Sequence, residues 1–134
     1  MTGVLALLAA VALTAVVALL RRRYDGRLRS RSGAEDIRPL LSGAGERATL
    51  VQFSSAFCAP CRATRRLLAQ AADQVPGVLH VEVDAEDNLE LVRRLGIVKT
   101  PTTLVLDGDG HEVVRATGQP RMADVLAALG KAIA

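Results

Sequence analysis

The sequence predicts an α/β domain, a mixed central sheet with helices on both faces, carried behind an N-terminal transmembrane helix. Three observations predict it. Gly3 to Leu20 is apolar or small throughout apart from Thr14, and ends in Arg21-Arg22-Arg23. Beyond residue 34, strand-like segments, one of which alternates apolar and polar residues, interleave with segments of helical rhythm. A Cys-x-x-Cys pair, Cys58-Ala59-Pro60-Cys61, stands where one strand-like segment gives way to a helix-like one.

The apolar run comes first. At helical rise, Gly3 to Leu20 reaches about 27 Å, close to the hydrocarbon thickness of a bilayer. A cleaved signal peptide would place positive charge before the run and a small-x-small site after it, and neither is there. Tyr24 suits the headgroup interface. The reading is an anchor over residues 1–22, a basic juxtamembrane linker over 23–34 that carries Arg27, Arg29 and Arg31 along with Ser30, Ser32 and Gly33, and a folded domain over 35–134. Cationic flanks stay on the cytoplasmic side, so the asymmetry favours a single-pass cell-membrane protein with its domain in the cytoplasm. The extracytoplasmic side is the alternative.

Charge excludes one large class of partner. The chain carries a formal net charge of +3, yet residues 1–33 hold six Arg and one Asp, leaving eleven basic against thirteen acidic residues in 34–134. The basicity therefore belongs to the tether. A nucleic-acid partner needs a basic face on the folded domain, commonly with stacking aromatics, and this composition offers neither.

The domain's elements follow in order. Glu35 to Leu41 is compatible with a short helix, broken by Gly43-Ala44-Gly45. Ala48 to Ser54 reads as a buried strand centred on Leu50, Val51 and Phe53. Pro60 sits where a helix can begin, and Arg62 to Gln74 is rich in helix formers, with Leu67, Leu68, Ala71 and Val75 on one side. Pro76-Gly77 stops it. Val78 to Asp84 alternates as a half-buried strand does. Asp87 or Asn88 can cap a helix that runs to Leu95 and closes at Gly96. Thr102 to Leu106 and Glu112 to Ala116 form a strand pair across the turn Asp107-Gly108-Asp109-Gly110, and a last helix spans about Arg121 to Ile133. Two β-α-β passes, a hairpin and a helix give the mixed sheet.

The cysteine pair supplies the chemistry. At a helix start, Cys58 meets unsatisfied N–H groups and the positive end of the helix dipole, both of which favour its thiolate. Cys58 is the expected nucleophile. Cys61, one turn on, is the expected resolving thiol that attacks the mixed disulfide. Pro60 stiffens the loop, and Ala59 is small enough for a partner chain to approach. Zinc fits poorly, because His80 and His111 match no common finger spacing with the two cysteines. A purely structural disulfide would close a very small loop and add little stability. Asp84, Glu86, Asp87 and Glu90 do not follow a calcium-loop pattern.

The run Thr49-Leu50-Val51-Gln52-Phe53-Ser54-Ser55-Ala56-Phe57-Cys58-Ala59-Pro60-Cys61-Arg62 resembles the strand and active-site loop of the thioredoxin family. A second block agrees: Leu95-Gly96-Ile97-Val98-Lys99-Thr100-Pro101-Thr102 is similar to the family's cis-proline segment, and Gly118 falls where the family has a glycine near its last strand. Over residues 35–134 the resemblance implies a thioredoxin-like fold, a cis Thr100-Pro101 bond, and a substrate site built from Phe57, Ala59, Pro60, Thr100 and Pro101. Two positions depart from the pattern: Phe57 stands where the family commonly has Trp, and Gln52 where it commonly has a buried Asp. An amide cannot titrate, so His80 on the neighbouring strand is a candidate substitute, although a solvent-facing histidine is the favoured reading.

The expectation is a thiol–disulfide oxidoreductase acting on protein disulfides. Its redox-active Cys58–Cys61 disulfide needs no cofactor or metal. Its partners are protein thiols and disulfides, a reductase or other thiol electron donor, and the lipid bilayer. The alternative is a redox-inactive module of the same fold that binds a membrane partner.

Overall fold

The computed structural model describes residues 1–24, 28–30 and 35–134, so the linker reading of 25–27 and 31–34 lies outside the described residues. Helix α1 spans Thr2–Tyr24. The stretch from Thr2 to Arg23 is long and apolar enough to cross a membrane, and none of it is buried against the rest of the chain. That excludes a core helix and leaves a membrane span or a signal sequence.

The domain is built on five strands: β1 (Leu28–Ser30), β2 (Ala48–Ser54), β3 (Val78–Asp84), β4 (Thr102–Asp107) and β5 (Glu112–Thr117). They lie in the order β1-β5-β4-β2-β3. β2 and β3 are parallel, while β4 runs antiparallel to β2, β5 to β4 and β1 to β5. Of the two β-α-β passes read in the sequence, only the first joins a parallel pair. The second leaves β3 through helix α3 (Leu89–Leu95), passes β2 and enters β4 in the opposite direction.

Period-two patterning on β2 sends side chains to two faces. Ala48 and Leu50 join Leu68 and Ala71 of helix α2 (Ala59–Gln74) and Val125, Ala128 and Leu129 of helix α4 (Met122–Ile133) in one core. Val51 and Phe53 face the other way, packing with Ile37, Val81, Ile97 and Leu104, and with Leu91, Val92 and Leu95 of α3. The helices therefore occupy both faces. Burying α2 and α4 against one of them aims the start of α2 at the carboxyl end of β2.

Three local expectations change. Residues 35–41 form only a 3₁₀ turn, Arg38–Leu40. The Asp36 carboxylate takes the Arg38 N–H at 2.9 Å and grips its guanidinium, and Pro39 has no N–H to give, so local hydrogen bonding displaces a helix. Within the segment read as a linker, Leu28–Ser30 is a strand that covers the edge of β5. At α3, Asn88 holds the cap position but its amide donates to Asp84 O at 2.8 Å rather than capping, whereas Gly96 closes the helix at φ 66°, as its sequence position suggests.

Candidate active site

The site forms where β2 turns into α2. Phe57, at φ 58°, takes the left-handed conformation that reverses the chain, and its ring is left fully exposed. Cys58 then stands at the N-cap of α2, bonded in a disulfide to Cys61 with their Cα atoms 5.2 Å apart. The Cys61 N–H donates to Cys58 Sγ at 3.2 Å. Cys61 is 1% exposed, while Cys58 is only half-buried. Ala59 and Pro60 are exposed beside them, and the Pro60 carbonyl accepts from Thr64 Oγ1 at 2.8 Å.

The loop before β4 closes one side of this site. Its Thr100–Pro101 peptide is cis, as the resemblance implies. Ser55 Oγ and Thr100 Oγ1 share a hydrogen bond of 2.8 Å that ties the strand end before the cysteines to the proline loop. Gly118, at φ 86°, donates its N–H to Pro101 O at 2.8 Å. Val98 projects into solvent from the same loop. Sequence reasoning placed Phe57, Ala59, Pro60, Thr100, Pro101 and the cysteines, and the fold brings their segments to one end of the sheet. It missed Ser55, whose only mark in the sequence is a hydroxyl just past a strand end.

Beneath the disulfide lies a polar row. Thr103, Gln52 and Glu82 are register partners across β4, β2 and β3. Gln52 is fully buried, its Nε2 donates to Cys61 O at 2.8 Å, and its Oε1 faces His80 Nε2 at 3.0 Å. An amide oxygen can only accept, so His80 Nε2 carries the hydrogen. His80 is thus drawn inward onto Gln52, not turned to solvent as the favoured reading had it. Thr103 Oγ1 is buried and finds no hydrogen-bond partner among the described residues.

The charges around this row are ordered. Burial pushes the His80 pKa down, opposed by the negative charge of Glu82 and assisted by the positive charge of Arg65. Arg65 grips Glu82 with two hydrogen bonds, which hold that carboxyl below its usual range despite partial burial. At the far end of the sheet, ligand atoms of Asp107, Asp109 and His111 lie within 4.8 Å of one another. Asp107 Oδ1 there accepts the N–H groups of Asp109 and His111, which is the work of a hairpin turn.

Comparison with known proteins adds the lineage. The thioredoxin family model matches residues 40–131. The human protein named thioredoxin domain-containing protein 2 is 38% identical over 68 residues, which is 51% of this chain and 12% of that protein. Tobacco thioredoxin H-type 1 is 36% identical over 69 residues, covering 52% of this chain and 54% of its own length. The structure of spinach chloroplast thioredoxin f superposes with a TM-score of 0.61 at 23% identity, over 76% of this chain and 90% of that one, a likeness of fold.

Proposed function

Because this chain belongs to the thioredoxin family, we propose that its Cys58–Cys61 pair exchanges electrons with protein thiols and disulfides while α1 anchors the domain to a membrane. The family and the paired cysteines support thiol–disulfide oxidoreductase activity in general. The carrying observation for the finer assignment is the Cys61 N–H directed at Cys58 Sγ at the start of a sixteen-residue helix. That donor and the helix dipole favour negative charge on Cys58, so its thiolate is the nucleophile.

In the reducing direction, the Cys58 thiolate attacks one sulfur of a partner disulfide. A Cys58–partner bond forms and one partner thiolate leaves. Cys61 then loses its proton and attacks Cys58 Sγ, closing the intramolecular disulfide and expelling the second partner thiolate. Two electrons pass to the partner, whose two thiolates take up protons. A reductase or another dithiol restores the pair, and the same steps reversed oxidise a partner dithiol. The cysteines carry the electrons, with no cofactor invoked. Phe57, Ala59, Pro60, Thr100 and Pro101 form the docking rim, the proline-loop backbone being available to a partner strand. The Arg21-Arg22-Arg23 flank supports a cytoplasmic domain.

Trapping tests the order of attack. Cys61→Ser leaves Cys58 unable to resolve, so mixed disulfides with a disulfide-bonded protein probe accumulate on non-reducing gels, whereas Cys58→Ser accumulates none. Equal trapping by both variants would overturn the assignment. Equilibration of the native pair against glutathione buffers places its potential between an oxidant's, about −120 mV, and a reductant's, about −270 mV. A pair that fails to cycle leaves only the binding-module reading.

A further inference from the structure

We infer that the Cys58–Cys61 site serves disulfides on membrane-embedded proteins that stand close to the bilayer surface, because β1 ties the chain to the active-site end of the sheet just after the membrane helix. The inference rests on the anchored thiol–disulfide reading above and specifies its substrate class.

The register of the sheet carries it. Leu28 of β1 lies opposite Ala116 of β5, Ala116 opposite Thr103 of β4, and Thr103 opposite Gln52 of β2. These four residues form one row across the sheet, and Gln52 is the residue whose amide reaches the Cys61 carbonyl. At the spacing of neighbouring strands, the row places Leu28 about 15 Å from Gln52. The chain enters β1 at this end and runs away from it, since Ser30 lies opposite Val114, toward the far hairpin.

Covalent geometry sets the other limit. From the last residue of α1, Tyr24, to Leu28 there are four Cα–Cα steps, which span at most about 15 Å. The end of the membrane helix and Gln52 are therefore no more than about 30 Å apart, and the disulfide stands just beyond. Without β1, the first backbone tie between the domain and its N-terminal segment among the described residues would be Ile37 N–H to Gly110 O at the opposite end of the sheet, thirteen residues after Tyr24. A six-residue strand adds about 20 Å between the two ends. The pairing of β1 thus decides which end of the domain is held toward the bilayer. It is the end that exposes Phe57, Val98 and the half-buried Cys58.

The test uses the full chain in phospholipid vesicles with two probes, single-span peptides bearing a disulfide loop either about 15 Å or about 80 Å above the surface, bracketing the reach of the tether. Mixed-disulfide formation by Cys61→Ser should be at least about tenfold faster with the near probe, as effective concentration requires. Inserting a Gly/Ser linker of about 100 residues between Tyr24 and Leu28, with an r.m.s. length of about 55 Å that brings the far probe within reach, should erase most of that preference. A small soluble aromatic disulfide should react equally with both tethers. Equal rates with near and far probes on the native tether overturn the inference while leaving the thiol–disulfide reading intact. Failure to react even with the soluble disulfide overturns that reading, and this inference with it.

Discussion

Gln52 and His80 set the chemistry beneath the disulfide. The amide spans two structures, donating to the Cys61 carbonyl in α2 and accepting from His80 on β3. Gln52 cannot change charge, so the titratable groups near this floor are His80 and the Glu82–Arg65 pair beside it. Burial holds the His80 pKa below its ordinary 6.5, with Glu82 opposing and Arg65 assisting. An unfolded chain therefore binds this proton before the folded one does as pH falls. The His80 contribution to stability is complete above about pH 6.5 and declines as pH drops through the window beneath it. Urea midpoints measured on either side of that window should fall less steeply for His80→Asn than for the native domain. A native slope unchanged by the substitution would mean that His80 is not held neutral on Gln52.

At the scale of elements, the position of the cis-proline loop depends on a clamp outside it. Arg115 of β5 makes two bonds to the Glu112 carboxylate, at 2.6 and 2.8 Å, and donates at 2.8 Å to the Leu95 carbonyl at the end of α3. Both side chains are mostly buried, 12% and 9% exposed. Removing one partner strands the other charge in the interior. Arg115→Ala should cost about 3 kcal/mol or more in urea unfolding, whereas the paired apolar replacement Arg115→Met with Glu112→Leu should recover much of that loss. Equal destabilisation by the single and the paired variants would show that the loss comes from packing and the Leu95 hydrogen bond, not from the stranded charge. Because α3 leads through Gly96 to Pro101, the single variant should also slow reaction with a protein disulfide.

For the whole molecule, charge and hydropathy divide the chain into two physical regimes. Residues 1–33 are apolar and then cationic, whereas 34–134 carry a slight acidic excess around two buried clusters that include no residue of α1. A helix of 23 residues is about 35 Å long, enough to cross the hydrocarbon core with some tilt. The full chain should therefore stay with membranes through carbonate extraction at alkaline pH, and a chain beginning at Gly26 should be released. Extraction of the full chain would show that α1 does not span the bilayer. Retention would hold the domain within a short radius of the bilayer.

Much of this was legible in the chain itself. Ala48–Ser54 and Val78–Asp84 have the bounds that their apolar rhythm indicates, and α2 begins where Pro60 and the cysteine spacing place it. Those features are local, set by side-chain period and by the few residues that start or stop a helix. What the tertiary structure alone decided is non-local. The place of β4 depends on which edge of β2 is vacant, and its antiparallel direction appears only in that pairing, while His80 turns inward because Gln52, twenty-eight positions away, offers an acceptor. The strand at Leu28–Ser30 is three residues with no apolar alternation, and it exists because β5 has an edge to pair. Periodicity tells a segment what it can become. Hydrogen-bond partners and register are fixed only when distant segments meet, and that meeting sets the floor of the candidate active site.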